Sequence, residues 1–306
     1  MPRVLALVLS VLVLASPAFG AEFKPIILDP SYEHDKFVTR VQGVADYTQG
    51  NYLRRFRAYI TLFDGEDDDN GDGKPDFLGV PHFVAYEIKR YQGNLPAGPD
   101  RPSQWITDKD LAARGIAPTD ATYRYSTAFL QAHSNWYVRG HLAMKQHAWR
   151  LGANADWNTH TVLNAVPQRQ DFNAGIWLDL ENKTAAWADK FGRVWIIAGP
   201  IFEPQRNTPR AWLGERTKGE MLIGIPDKLF KIVVRQSDDT NRPHVLAFIY
   251  PQEVPRISGA AYDHRPYMTS VDVIQEKTGL DFLTVLPDDA EKEIEKQVTK
   301  ALWPVN

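Results

Sequence analysis

The chain of 306 residues contains no cysteine, so no disulfide can staple it, and burial, hydrogen bonds and bound ions must hold its fold. It has no internal repeat and no low-complexity stretch long enough to separate domains, which favours one large unit over a string of small ones. Its longest apolar run, Val4 to Ala15, is too short to anchor the chain across a bilayer. A large charge imbalance is also missing: 35 basic and 38 acidic side chains give a formal net charge of −3. Tight, non-specific nucleic-acid binders usually carry a basic surplus, so a polyanionic substrate would have to be gripped by a local cluster and a metal ion.

What is present begins with a leader-like segment. Arg3 precedes the apolar run, and Ser16-Pro17-Ala18-Phe19-Gly20 follows it with small residues at Ala18 and Gly20, the pattern that signal peptidase accepts. Residues 1–20 are therefore expected to be a signal peptide, and residues 21–306 a single domain that is exported, periplasmic or secreted. The 9 Trp, 12 Tyr and 14 Phe can supply its core. Residues 64–76 hold seven acids against the single base Lys74. Within them Asp68, Asn70, Asp72 and Asp76 fall at calcium-loop spacing around the turn residue Gly73, although Gly79 stands where the closing glutamate would be. A structural Ca²⁺ in this insertion would do the work of the missing disulfides; the alternative is a solvated acidic turn.

Runs such as Phe83 to Ile88, Val194 to Ala198, Phe230 to Val234 and Val245 to Tyr250 are β-branched and aromatic, with Gly or Pro nearby, and predict strands of a mixed or antiparallel sheet. Phe172, Ile176, Leu180 and Trp187 recur at near-helical spacing and predict a helix from about Asp171 to Lys190, closed by Gly192. A charged, peripheral helix is expected from about Pro287 to Ala301. The stretch from Arg101 to Arg150 reads as irregular. The fold class is α+β, with the site expected where this irregular segment meets the long helix.

The chemistry concentrates in Arg139-Gly140-His141, Asn164-Ala165-Val166-Pro167-Gln168, Asp171-Phe172-Asn173-Ala174-Gly175-Ile176-Trp177 and Leu180-Glu181. Four- and eight-residue spacing sets Asn173, Trp177 and Glu181 on one side of the helix, with Asn173 in its first turn where partial positive charge favours a phosphate. Phosphodiester hydrolysis needs an activated water, a cation and stabilisation of the leaving oxygen. His141 can take the proton, and Mg²⁺ accepts one amide oxygen plus a water-bridged carboxylate.

Read together, these segments resemble the DNA/RNA non-specific endonuclease family of ββα-metal nucleases. The likeness continues through Ile197 to Phe202, Ile225 to Lys231, Ser270 to Ile274 and Thr278 to Phe282, covering most of residues 80–290. It implies a ββα-metal finger from His141 to about Glu181, a long active-site helix, and hydrolysis of DNA and RNA with little sequence preference. It assigns His141 as general base, Asn173 as direct ligand of a single Mg²⁺ (or Mn²⁺), Glu181 as the carboxylate on a metal-bound water and Asn164 as an ordering amide. Arg139 belongs to the same signature, and Arg101, before Trp105 and Asp108, matches an upstream family arginine.

Two positions depart from the pattern. Val138 replaces an aspartate before Arg-Gly-His, and Ala185 replaces an arginine four residues after the Leu-Glu carboxylate. The first bears on the hydrogen bonding of Arg139, the second on a phosphate contact that Lys183, Lys145 or Arg169 would have to supply. Lys145 and Arg169 are the expected substrate-binding residues, with His147, Arg150, Trp136, Trp149 and Trp157 around them as an aromatic and basic rim or as core. His160 reads as a supporting or core histidine. Two other readings share these residues: a phosphodiesterase on another substrate, and an inactive calcium-binding relative that acts as an interaction protein.

Overall fold

A computed structural model of the protein describes residues 21–38, 52–65, 77–125, 131–132, 135–236, 242–257 and 261–305. The leader segment and the calcium-ligand candidates Asp68, Asn70, Asp72 and Asp76 lie outside these residues. In chain order the strands are β1 (Tyr52–Arg55), β2 (Ile60–Phe63), β3 (Pro81–Lys89), β4 (Tyr137–His141), β5 (Ala165–Arg169), β6 (Arg193–Ile201), β7 (Trp212–Leu213), β8 (Ile223–Gly224), β9 (Lys228–Gln236), β10 (Pro243–Pro251) and β11 (Met268–Thr269). The helices are α1 (Lys109–Ala113), α2 (Lys145–Trp149), α3 (Ala153–Trp157), α4 (Leu178–Phe191), α5 (Val271–Thr278) and α6 (Asp288–Lys296).

One sheet carries the fold, in the order β1-β2-β3-β6-β9-β10-β11. Every pairing in it is antiparallel, the second of the two arrangements expected from the sequence. Both faces are covered, so its central strands are apolar on both sides rather than alternating with polar residues. Along β6, Val194, Ile196 and Ala198 enter the core on one face while Trp195 and Ile197 enter the core on the other. The first face packs against α4 through Leu180, Trp187 and Ala188; the second packs against Phe37, Ile274, Phe282 and Ile294.

Beside this sheet β4 and β5 form a two-stranded antiparallel finger, from Tyr137 opposite Arg169 to His141 opposite Ala165. The helix after β5 is not continuous as the spacing predicted. It starts at Gln170–Phe172, passes through a π-type turn at Asn173–Trp177 with Gly175 at φ −111° and ψ −113°, and resumes as α4 until Gly192 at φ 90°. A Cβ on Gly175 would lie 2.5 Å from the Tyr262 hydroxyl, the tip of a part-exposed side chain that would have to shift to admit it. π-type turns often occur at functional sites because they re-aim the side chains on either side.

The C-terminal helix ends at Lys296, short of the expected Ala301. The chain beyond it runs inward instead: Trp303 packs edge-on to Trp187 at 5.2 Å, and its carbonyl accepts the Trp187 Nε1–H at 3.0 Å. Two apolar residues near the end, Leu302 and Trp303, gain more from burial than another helical turn would provide. The stretch 101–150 is largely irregular as expected, apart from α1, β4, α2 and a 3₁₀ turn at Asp120–Tyr123.

Candidate active site

The finger and the interrupted helix meet over a cavity of about 770 Å³. Arg101, Trp105, Arg139, His141, Lys145, Trp149, Asn173 and Glu181 line it, together with Val138, Gln146, Gln170 and Leu178. Six of the residues singled out from the sequence therefore converge: Arg101, Arg139, His141, Lys145, Asn173 and Glu181.

His141 ends β4, and its ring is fixed from two sides. Trp105 lies 4.7 Å away and His160 meets it edge-on at 5.3 Å. Its Nε2 is buried and has no hydrogen-bond partner. Burial, with His160, Arg101, Arg139 and Lys145 adding to it, holds the imidazole well below the usual histidine range, so the ring is neutral near pH 7. The backbone around it is held by Asn164, whose Oδ1 accepts the Ala143 N–H at 2.8 Å while Nδ2 donates to Ala143 O at 2.9 Å and Thr159 O at 3.0 Å. His160 is pushed down to about 4, chiefly by burial, and shapes the wall behind His141.

Asn173 is tied to the finger, for its Nδ2 donates to Gln168 Oε1 at 2.5 Å and leaves Oδ1 for another partner. Gln168 in turn occupies the space that a side chain at position 140 would need. A Cβ on Gly140 would sit 2.1 Å from Gln168 Cδ and 2.3 Å from its Oε1. The glycine of Arg-Gly-His is thus a steric requirement of the residue that orients Asn173.

Glu181 is buried on α4 with its Oε1 lacking a hydrogen bond. Burial raises its pKa, and Lys231, 3.8 Å away, opposes the rise. Lys231 is fully buried, stands 3.8 Å over the Trp177 ring and is itself pushed down by burial. Trp177 does not share the cavity with Asn173 and Glu181, contrary to the simple helical spacing. The π-type turn places it beneath them, where its Nε1 donates to His141 O at 3.2 Å.

The missing aspartate at Val138 is replaced from elsewhere. Asp120, buried in its 3₁₀ turn, forms an ion pair with Arg139 and a second with Arg124 at 3.1 Å. Arg139 then lies 4.9 Å over Trp105, the ring that also flanks His141. Sequence reasoning missed Asp120 because it is nineteen residues from its partner. It also missed Lys231, for which a signal existed: a lysine in the middle of the otherwise apolar Leu229 to Val234 run.

Other candidates stand apart. Arg169 stacks on Tyr137 at 5.1 Å and is not among the cavity-lining residues. Lys183 pairs with Asp179 at 3.0 Å and Arg150 with Asp189 at 2.7 Å. His147 is buried against the Glu181 carbonyl, and Trp157 donates to Glu22 O at the N-terminal strap. Neither Trp136 nor Trp157 lines the cavity, whereas Trp149 does. Lys145 lines it too, with its ammonium 2.5 Å from Pro99 O and 3.4 Å from Asp156.

Comparison with known proteins decides the family. The profile of the DNA/RNA non-specific endonuclease family matches residues 57–289. The chain belongs to that family. A nuclease of Serratia marcescens is 28% identical over 221 residues, 71% of this chain and 73% of the relative. The mitochondrial nuclease EXOG of Danio rerio is 29% identical over 166 residues, 51% of this chain and 46% of the relative. A crystal structure of an EndoG/EndoGI complex shares the fold, with a TM-score of 0.56 at 18% identity, covering 81% of this chain and 93% of the other. This DNA/RNA non-specific endonuclease is accordingly a hydrolase of phosphodiester bonds. Among its described residues no helix is long and apolar enough to cross a membrane.

Proposed function

We propose that this family member is an exported, sequence-non-specific nuclease that cleaves DNA and RNA with one divalent ion, Mg²⁺ or Mn²⁺, and with His141 as general base. Residues 21–306 would form its single domain, and residues 1–20, on the sequence pattern alone, its leader. The observation that carries the reading is the convergence in one cavity of a neutral imidazole, an amide oxygen and a carboxylate, each with unused hydrogen-bonding capacity, beside two arginines.

The donor set fits a hard cation. Asn173 Oδ1 is left over once Nδ2 is spent on Gln168, and Glu181 lines the same cavity while its Oε1 faces Lys231 at 3.8 Å. Mg²⁺ characteristically takes one or two protein oxygens and keeps several waters. Asn173 would hold the ion directly, with Glu181 on one of its waters. Bound there, the ion would neutralise charge building on the phosphate and the departing oxygen.

The chain's own groups supply the rest. Neutral His141 accepts a proton from the attacking water through its imidazole. Trp105 and His160 keep the ring from turning away. Arg101 and Arg139 attract the phosphate and compensate its charge in the transition state, and Arg139 is held in place by Asp120. Trp149, part-exposed at the cavity, offers an aromatic face to a base, which suits binding without sequence readout.

The test is incubation of purified protein with supercoiled plasmid and with RNA, each with Mg²⁺ and with chelator, alongside His141→Ala. Both substrates should be cut only with the metal, and the variant should lose at least about a hundredfold in rate while remaining folded. Wild-type turnover by the variant would remove His141 from its role, and absence of cleavage of either polymer would remove the nuclease reading.

A further inference from the structure

Between the end of β3 at Lys89 and Ile106 the chain forms no helix or strand, yet Ala97, Gly98 and Arg101 of this stretch line the cavity. Residues 96–101 are all exposed, and Pro96, Pro99 and Pro102 have no N–H with which to tie the backbone to itself. Two side chains of α2 hold the loop from beneath. Lys145 donates to Pro99 O at 2.5 Å, and Trp149 donates from Nε1 to Pro96 O at 2.8 Å. The loop lies close on both, since a Cβ on Gly98 would stand 3.2 Å from Lys145 Nζ and 3.6 Å from Trp149 Cδ1.

Lys145 is anchored in turn. Its side chain is 13% exposed, and its ammonium pairs at 3.4 Å with the Asp156 carboxylate of α3, which is 1% exposed. An ion pair so withdrawn from water fixes the ammonium, because moving it away would leave a buried charge alone. The Arg101 charge reaches Asp156 on one side and His141 and Glu181 on the other. We infer that Lys145 is a positioning residue: with Trp149 and Asp156 it straps residues 96–101 to α2, and so sets where Arg101 meets the phosphate. The inference rests on the role proposed above for Arg101. In it the Lys145 cation serves a carbonyl of the chain rather than the phosphate expected from the sequence. An exposed guanidinium on an unfastened loop would spread over many positions, and a misplacement of about 1 Å can cost about a hundredfold in rate.

Plasmid cleavage by the full chain, at a temperature where each variant is folded, tests this in a cycle of Lys145→Met and Arg101→Gln. Lys145→Met keeps the aliphatic stem and removes the charge. It should lower kcat at least about tenfold with little change in KM, because Arg101 is displaced from where transition-state charge develops. In the Arg101→Gln background the same change should cost less than about twofold. Nicking by subtilisin within residues 91–104, mapped by mass, should be at least about tenfold faster in Lys145→Met than in wild type. Trp149→Phe keeps an aromatic face but loses the bond to Pro96 O, so it should shift kcat and nicking in the same directions and serves if Lys145→Met fails to fold. An equal loss in both backgrounds, carried by KM, would overturn the strap and make Lys145 a phosphate contact. Unchanged nicking in the folded variants would overturn it as well. Wild-type turnover by Arg101→Gln would instead remove Arg101 from its role, and nicking would then decide the strap by itself.

Discussion

Substituting Gly140 by alanine adds one methyl group, and its effect can be worked from the contacts it would make. The new Cβ would lie 2.1 Å from Gln168 Cδ, 2.3 Å from Cγ and 2.3 Å from Oε1, well inside van der Waals contact. Gln168 is fully buried, so its side chain cannot swing out to solvent and must be displaced within the finger. Overpacking of this kind typically costs about 1 to 3 kcal/mol, and losing the Gln168–Asn173 hydrogen bond adds about 1 kcal/mol. In a domain this size the result is a fall in Tm of roughly 5 to 10 °C. Activity should fall by more than the stability loss explains, because Asn173 loses its tether; at a temperature where the variant is fully folded, a drop of at least about tenfold in kcat/KM is expected.

The double variant Gly140→Ala, Gln168→Ala separates the two effects. Removing the Gln168 side chain clears the space, so most of the stability should return, while the tether remains missing and activity should stay low. Such non-additivity is expected when two groups occupy one space. Thermal melts and plasmid-cleavage kinetics on the four proteins of the cycle measure both. Recovery of activity together with stability would refute the idea that Gln168 positions Asn173, and an unperturbed single variant would refute the packing itself.

Three further outcomes follow from the same geometry. Asn173→Ala should need far more Mg²⁺ than Glu181→Gln to regain activity, since outer-shell water replaces a water-bridging carboxylate more readily than a direct ligand; equal metal titration curves would reverse the ranking. Asp120→Asn should leave the fold intact and lower kcat/KM by roughly tenfold or more through loss of the charge that anchors Arg139, a position that wild-type kinetics would show to be dispensable. His34, half-buried and bonded to Arg57 O at 2.9 Å and to the Glu87 N–H at 3.0 Å, is pushed down to about 4 by burial, so the unfolded chain binds its proton first as pH falls. The stability that wild type holds over His34→Gln should therefore shrink by about 3 kcal/mol between pH 7 and pH 4, and a constant difference in urea unfolding would contradict that assignment.

The sequence made the groups proposed to react legible because each lies in a short local pattern: a glycine turn before His141, and a helix start at Asn173. The sheet was legible for a similar reason, since a strand buried on both faces must be apolar throughout, as Val194 to Ala198 and Phe230 to Val234 are apart from Lys231. Helical spacing failed at Trp177, because a π-type turn at Gly175 advances the helix by part of a turn and no period of 3.6 anticipates it. The C-terminal boundary failed at Lys296 because burial of Trp303 against Trp187 outweighs helix propensity.

Groups that support the reacting ones were harder to read, since they come from distant parts of the chain. Asp120 serves Arg139 from a 3₁₀ turn, and Lys231 serves Glu181 from the middle of the main sheet. Their placement explains why a departure such as Val138 does not dismantle the site. What Arg139 requires is a carboxylate at its guanidinium, and an ion pair from another element meets that requirement whichever residue precedes it in sequence. Lys231 adds a constraint of a different kind: it joins α4 to β9 through a buried ion pair and the face of Trp177, so the carboxylate of the finger is set by the main sheet. Removing one member of such a pair leaves the other charge uncompensated in the interior, which typically costs about 3 to 5 kcal/mol. The roles proposed for the finger's residues therefore depend on the sheet beneath them, which fixes where Glu181 stands.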